Sequence, residues 1–164
     1  MTRFYDNKTR EWDLRVELNS WLDTPYKHWS GVKGKGVDCI HFVVRVLEAT
    51  GGTQGRFIRI QKYSKDWNLH RGEEMLREGI ERQLYVQKIS YPKERSHPIE
   101  LKENIGPGDI VLFQFGRHAA HVGIYLDGLV YQTVTNDGVI QKPWKSDFYH
   151  RVTHVYKIYE AEKI

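Results

Sequence analysis

The chain has 164 residues, of which 40% are hydrophobic and 13% aromatic, which suits one domain with its own core and excludes a disordered protein. The net charge of +4 comes without a dense basic run, which argues against a nucleic-acid partner. One cysteine excludes an internal disulfide and a zinc site built on cysteines. No apolar run is long enough to cross a membrane, and the first residues lack a secretory signal, so we expect synthesis in a cytoplasm and no membrane partner.

The N-terminal part of the chain predicts two helices. The first covers residues 11–22, where apolar residues recur at helical spacing, and Thr24-Pro25 ends it. The second begins after a glycine-rich loop, because Asp38 is a favoured N-cap residue and Gly51-Gly52 is a typical stop. Its apolar stripe has four members: Ile40, Val43, Val44 and Leu47. Cys39 is therefore expected in the first turn of a buried helix.

Residues 51–106 are less regular, and we interpret them as an insertion on the core. Within them, the segment from Trp67 to Leu84 is rich in Glu and Arg and predicts a further helix. Tyr91-Pro92 and His97-Pro98 predict loops.

From Pro107 onwards the pattern predicts an antiparallel sheet. Four short segments rich in β-branched and aromatic residues indicate strands: 109–115, 120–126, 129–135 and 153–159. Asp127-Gly128 and Asn136-Asp137-Gly138 are typical of hairpin turns. Helices followed by such a sheet predict an α+β fold rather than a parallel α/β fold, formed by one domain over residues 1–164.

Cys39 is a candidate nucleophile because of its predicted place on the second helix. The unpaired N–H groups and the dipole of a helix N-terminus favour a thiolate, so the pKa of a cysteine there is expected to fall. The same N–H groups could hold an oxyanion. The alternative interpretation is a small buried core residue, which is the usual role of a lone cysteine.

A nucleophilic cysteine needs a base, and hairpin geometry selects His121 among the eight histidines. If Asp127-Gly128 forms a two-residue turn, His121 and Gln132 share one face of the hairpin on a diagonal of about 7–8 Å. Gln132 could then orient the imidazole, and the opposite Gly123 would leave room for it. The alternative is a partly buried strand histidine beside an ordinary polar residue.

No metal site is expected. His118 and His121 are three apart in a predicted strand and therefore point to opposite faces. His150 and His154 have no third ligand nearby in the sequence.

Four segments resemble those of the NlpC-like cell-wall cysteine peptidases, relatives of papain with a circularly rearranged fold. The matching segments are Thr24-Pro25-Tyr26, Gly36-Val37-Asp38-Cys39, the Pro-Gly-Asp strand at 106–113 and the His-Val-Gly-Ile-Tyr strand at 120–125. The resemblance implies a papain-like α+β fold and hydrolysis of peptidoglycan stem peptides, usually between D-glutamate and the diamino acid. It implies no metal or organic cofactor.

The resemblance also implies roles for individual residues. Cys39 attacks, His121 moves the proton, and a third polar residue, here Gln132, orients the ring. Tyr26 lines the site near the thiol, and we place Asp38 and His28 with it in the predicted substrate-binding set.

The chain departs from the family pattern in three places. The Ser-Gly that usually follows the cysteine is Ile40-His41, which alters the pocket. The third residue, often histidine, is Gln132, whose amide can still accept a hydrogen bond from Nδ1–H. The spacing from Cys39 to His121 is longer than in the common bacterial members.

The insertion in that spacing, with Tyr63 and Trp67, resembles the phage-associated branch of the family, which is linked to tail assembly and to tail tips that cross the wall. The expected partners are therefore stem peptides and phage tail proteins, and the expected place of action is a virion tail at the cell wall. Two alternatives to an active hydrolase stay open. One is a structural or binding module of a tail that has lost activity, which His41 and Gln132 favour. The other is a thiol acyltransferase of the same superfamily, although the sequence has no obvious amphipathic membrane helix.

Overall fold

The computed structural model describes residues 2–64, 72–90, 105–115, 119–145 and 149–162. Within these ranges the helices are α1 (Lys8–Ser20), α2 (Cys39–Thr50) and α3 (Gly72–Gln83), and none of them is long and apolar enough to cross a membrane. A two-stranded hairpin of β1 (Gly31–Val32) and β2 (Gly36–Val37) leads directly into α2.

The described part of the chain also forms one antiparallel sheet of six strands in the order β3-β8-β4-β5-β6-β7. The strands are β3 (Val86–Ser90), β4 (Ile110–Phe115), β5 (Ala119–Leu126), β6 (Leu129–Val134), β7 (Gly138–Pro143) and β8 (Val152–Ile158). A 3₁₀ turn, Tyr149–Arg151, precedes β8. Helices ahead of an antiparallel sheet confirm the predicted α+β class.

The helix α1 begins earlier and ends earlier than predicted. Asn7 caps it, because the Asn7 side chain accepts hydrogen bonds from the N–H groups of Thr9 and Arg10 at 3.0 and 3.1 Å. Leu14 and Leu18 are buried as the pattern requires. Trp12 and Val16, however, are 63% and 52% exposed, so not every apolar residue of the predicted helix faces the core.

The helix α2 starts and stops where the sequence indicates. Asp38 is its N-cap, and Gly51 ends it in the left-handed conformation at φ 81°. The inner face of α2 consists mainly of four residues: Phe42, Val43, Val46 and Leu47. Ile40 and Val44 belong to the predicted stripe but are only partly buried.

The sheet separates two apolar clusters. The larger one lies between the helices and one face of the sheet and includes Leu14, Phe42, Leu112 and Ile124. A smaller cluster covers the other face: Val111, Phe113, Val130, Trp144, Val152 and Val155. Because successive strand residues point to opposite faces, the alternation along β4 fills both clusters.

All four predicted strands and both predicted turns are present. Most strand ends lie one residue away from the predicted position. The edge strands β3 and β7 were not predicted. Their sequences, VQKIS and GVIQKP, carry polar residues that lower the strand signal. The predicted helix over 67–84 is present as α3, while its first part and the predicted loops at Tyr91-Pro92 and His97-Pro98 lie outside the described residues.

The Pro-Gly-Asp motif ties the N-terminal segment to the sheet through a buried ion pair. Asp109 accepts hydrogen bonds from the N–H of Gly106 at 2.8 Å and from Nζ of Lys157, on β8, at 2.7 Å. Arg3 lies 3.5 Å from the same carboxylate. Both Asp109 and Lys157 are buried, so each charge depends on the other.

We predict that Asp109→Ala lowers the free energy of unfolding by about 3–5 kcal/mol, because it leaves the Lys157 ammonium buried without its partner. Urea unfolding followed by tryptophan fluorescence measures the loss. Asp13→Ala, which removes an exposed carboxylate from α1, is the control and should change stability by less than about 0.5 kcal/mol. Equal losses of stability in the two variants would contradict the assignment of Asp109 and Lys157 as a buried ion pair.

Candidate active site

The N-terminus of α2 lies where strands β5 and β6 stop pairing. The β5–β6 hairpin has the register predicted from a two-residue turn, with Leu126 opposite Leu129. Ile124 and Tyr131 are the last residues that pair in this hairpin. In such a hairpin the N–H of every second residue of β5, including Val122, points towards β6. The N–H of Val122 instead faces the sulfur of Cys39 and acts to lower the pKa of that thiol. The thiol therefore occupies the opening between the two strands, beside the backbone that carries His121.

His121 and Gln132 meet across this opening. Nε2 of His121 lies 2.7 Å from Oε1 of Gln132, which confirms that the two side chains share a face. The nitrogen involved differs from the expected one, because Nε2–H rather than Nδ1–H donates to the amide oxygen. Nδ1 therefore keeps its lone pair, which is what a general base requires.

Gly123 provides the space for this pair. A Cβ at this position would lie 2.8 Å from the carbonyl oxygen of Tyr131 and 3.3 Å from Cβ of Gln132. Any larger residue would push the Gln132 side chain or its strand away from His121. The glycine of the His-Val-Gly segment thus has a steric role that follows from the register.

The Cys39 thiol is neutral in the resting structure. Burial raises its pKa to about 12, the carboxylate of Asp38 adds to the rise, and the N–H groups of Val122, Cys39 and Ile40 oppose it. Cys39 is only 6% exposed. The expectation that the helix N-terminus lowers the thiol pKa was therefore wrong, because loss of hydration and a neighbouring negative charge outweigh the helix dipole.

His121 is neutral as well. Loss of hydration around the ring lowers its pKa to about 4, and the hydrogen bond to Gln132 only partly offsets this effect. The ring also packs against Phe113, with 5.8 Å between ring centroids. Cys39 and His121 are thus a neutral thiol and a neutral imidazole rather than a thiolate and an imidazolium.

Asp38 has no acceptor position left for a ligand. Its Oδ1 accepts from the N–H and from Nδ1 of His41, both at 2.8 Å, and its Oδ2 accepts from the N–H of Trp29 at 2.8 Å and from the hydroxyl of Tyr63. Asp38 is 1% exposed. Burial raises its pKa, but the hydrogen bonds from His41 and Tyr63 outweigh burial and hold the pKa below the usual value. Asp38, predicted to bind substrate, thus supports the start of α2 and the loop at Trp29 from inside the protein.

Aromatic rings surround this carboxylate. Trp29 contacts the rings of His41 and Tyr63 edge-on at 4.9 and 5.0 Å, and His28 contacts the ring of Tyr63 at 5.3 Å. The three-residue spacing of Asp38 and His41 is typical of an N-cap contact and could have revealed this bond from the sequence. No local pattern connects Tyr63 to Asp38, because they are 25 positions apart.

Tyr26 lies near the thiol of Cys39. Its segment runs along β2, with hydrogen bonds from the N–H of Lys27 to the carbonyl of Val37 and from the N–H of Val37 to the carbonyl of Pro25. Burial raises the pKa of Tyr26 to about 12, and repulsion from Cys39 in its ionised form and from the Asp38 carboxylate adds to the rise. The hydroxyl therefore stays protonated and can donate a hydrogen bond near the thiol.

The described residues contain no group of three His, Cys, Asp or Glu side chains that could hold a metal ion. His118 lies outside the described residues. His150 is exposed, while His154 is buried and hydrogen-bonds the hydroxyl of Thr153 at 2.9 Å.

A family model described as the NlpC/P60 family matches residues 23–157. No curated protein matches the sequence. Among solved structures, an NlpC/P60 family protein from Bacillus cereus ATCC 10987 shares 18% identity over 92% of this chain and 40% of its own, with a TM-score of 0.56.

Two further structures are similar. A protein described as similar to lipoprotein, NLP/P60 family, from Staphylococcus aureus subsp. aureus Mu50 shares 17% identity over 98% of this chain and 44% of its own, at a TM-score of 0.59. NlpC1 from Trichomonas vaginalis shares 17% identity over 98% of this chain and 48% of its own, with a TM-score of 0.56. The chain spans less than half of the length of each of these three proteins, and likeness at such identity shows a common fold.

We predict that the imidazole of His121 titrates with a pKa of about 4. Proton NMR of the histidine ring signals across pH 3–8 measures it, and loss of the signal in His121→Asn assigns it. Gln132→Ala should lower the midpoint further, because the bond to Gln132 raises the pKa. A midpoint near 6.5 would mean that the ring is hydrated.

Proposed function

Because the chain belongs to the NlpC/P60 family, we propose that it is a cysteine hydrolase that cleaves peptide bonds in peptidoglycan stem peptides. One observation carries the proposal: the N–H of Val122 faces the thiol at the helix start, and Val122 follows His121, whose ring Gln132 orients. We therefore assign Cys39 as the nucleophile, His121 as the base and Gln132 as the orienting residue of a proposed triad.

Attack on the amide carbonyl begins from a neutral pair. Since the pKa of the Cys39 thiol is raised and that of His121 is lowered, Nδ1 takes the thiol proton as the sulfur forms its bond to the carbonyl carbon. Gln132 keeps accepting from Nε2–H and stabilises the imidazolium that forms. His121 then gives the proton to the leaving amine, and a water activated by the same ring hydrolyses the thioester.

The start of α2 supplies donors for the developing oxyanion. Asp38 occupies the N–H of His41, whereas the N–H groups of Cys39 and Ile40 surround the sulfur. The N–H of Cys39 is the proposed oxyanion donor, because it precedes the first intrahelical hydrogen bonds and is fixed by the cap. With Asp38 saturated, Tyr26 and the partly exposed Trp29 are the proposed contacts for the substrate.

The proposal extends to a place of action. The resemblance of the insertion around Tyr63 to the phage-associated branch supports delivery by a phage tail to the cell wall. The tail proteins would then be the protein partners.

A second candidate is a tail module that keeps the fold without turnover. The neutral thiol favours it, because a pKa of about 12 leaves almost no thiolate at neutral pH. The two candidates differ in one measurable property, which is cleavage that depends on the sulfur.

We predict that the wild-type protein releases new amino groups from purified peptidoglycan and that Cys39→Ala releases none. The alanine removes only the sulfur from a site that the Asp38 cap keeps in place, so the variant should fold. A zymogram and amine quantification measure the release, and the melting temperature confirms folding. Equal clearing by both proteins would end the hydrolase proposal, whereas no clearing by either would favour the tail module.

We predict that His121→Ala lowers kcat/KM by about a thousandfold, the usual range for loss of a general base. Gln132→Ala should cost only about tenfold, because it removes one hydrogen bond to the ring and leaves the base itself in place. Stopped assays on a stem tetrapeptide measure both. Gln87→Ala, on the edge strand β3, is a control that should leave the rate unchanged. A loss in Gln132→Ala as large as that in His121→Ala would contradict the assigned roles.

A further inference from the structure

A cavity of about 680 Å³ lies between α2, α3 and residues 58–62, and the proposed mechanism does not use it. We call it the α2–α3 cavity. Its buried lining residues are all aliphatic: Val43, Leu47, Leu76, Ile80, Leu84 and Val122. The volume falls in the range of small-molecule sites, which is about 300–1,000 Å³.

Part of the lining of the α2–α3 cavity comes from the residues that follow Cys39 and His121. Ile40 follows Cys39 on α2, and Val122 follows His121 on β5, and both line the cavity. The N–H of Val122 is also one of the groups that act to lower the pKa of the Cys39 thiol. A ligand in the cavity would therefore contact the residues that follow each member of the proposed pair in the sequence.

The outer end is positively charged. Arg59, Lys62 and Arg82 line the cavity and are exposed, so they lie at its mouth together with Glu78. Among the described ion pairs, none involves these three cations. The three positive charges outnumber the single carboxylate of Glu78, so they favour a ligand with an anionic group at the mouth.

We propose that the α2–α3 cavity binds a fatty-acid-like carboxylate, with its aliphatic chain inside and its head group at the cations of the mouth. A peptide fits less well, because its amides would meet only aliphatic side chains among the buried lining residues and would lose their hydrogen bonds to water. A methylene chain has no such cost and gains from burial. The experiment that tests this proposal measures ligand binding rather than turnover, so its result does not depend on catalysis by Cys39.

Gly79 offers a variant that closes the cavity without disturbing the fold. It lines the cavity from α3, and a Cβ placed there has no atom within 4 Å apart from its chain neighbours and the backbone of its own helix. Gly79→Leu therefore projects into open space, and leucine also favours a helix over glycine. Gly79→Ala is the matched control, because it gives a similar gain in helix propensity with a single methyl group.

The test is titration of a dansyl-labelled undecanoic acid into the full chain, followed by fluorescence, in wild type and in Cys39→Ala. Saturable binding is expected in both proteins. The affinity should fall by about tenfold in Gly79→Leu, which is the effect of displacing about two methylene groups from the cavity. It should change little in Gly79→Ala. Dodecanoate should displace the probe better than dodecylamine. Arg82→Gln should weaken binding about two- to fivefold, and Lys35→Gln, on the exposed loop between β1 and β2, should not.

Three results would overturn the inference: no saturable binding in the wild type, equal affinity in Gly79→Leu and wild type, or equal displacement by the amine. A concentration-dependent dimer in sedimentation that Gly79→Leu abolishes would assign the cavity to a second copy of the chain instead, and would also overturn it.

Discussion

The carboxylate of Asp38 holds together the parts of the chain from which the site is built. Its two oxygens take four hydrogen bonds, from the start of α2, from the loop at Trp29 and from Tyr63 in the insertion. An N-cap residue alone contributes about 1 kcal/mol to a helix, and a buried carboxylate that lost its donors would be far more costly. The position of the neighbouring sulfur against strand β5 depends on this one group.

That support conflicts with the chemistry expected of a reactive thiol. A negative charge at the adjacent residue and removal from water both disfavour a thiolate, and the N–H groups at the helix start do not compensate. The site therefore depends on His121 as a proton acceptor during attack rather than on an ion pair that exists beforehand. The lowered pKa of His121 is consistent with this role, since it leaves Nδ1 available at any pH near neutrality.

Local patterns were sufficient to predict the helix start at Asp38 and the hairpin register at Asp127-Gly128, and together these bring Cys39, His121 and Gln132 to neighbouring places. They were not sufficient for the ring nitrogen that meets Gln132, since this depends on ring rotation, nor for the sign of the thiol pKa shift, which depends on burial by the whole fold. The contact of Tyr63 with Asp38 and the pairing of β3 with β8 join distant parts of the chain. Such contacts have no local spacing from which they could be inferred.

The pairing of β3 with β8 has a consequence for any attempt to trim the molecule. Five consecutive residues of β3 cover the outer side of β8, which would otherwise be an open sheet edge able to recruit strands from other molecules. A shortened version that joins α2 directly to β4 would lose this cover together with the hydroxyl that Tyr63 gives to Asp38. The insertion is thus integral to the architecture, and a minimal version of the protein would have to keep it.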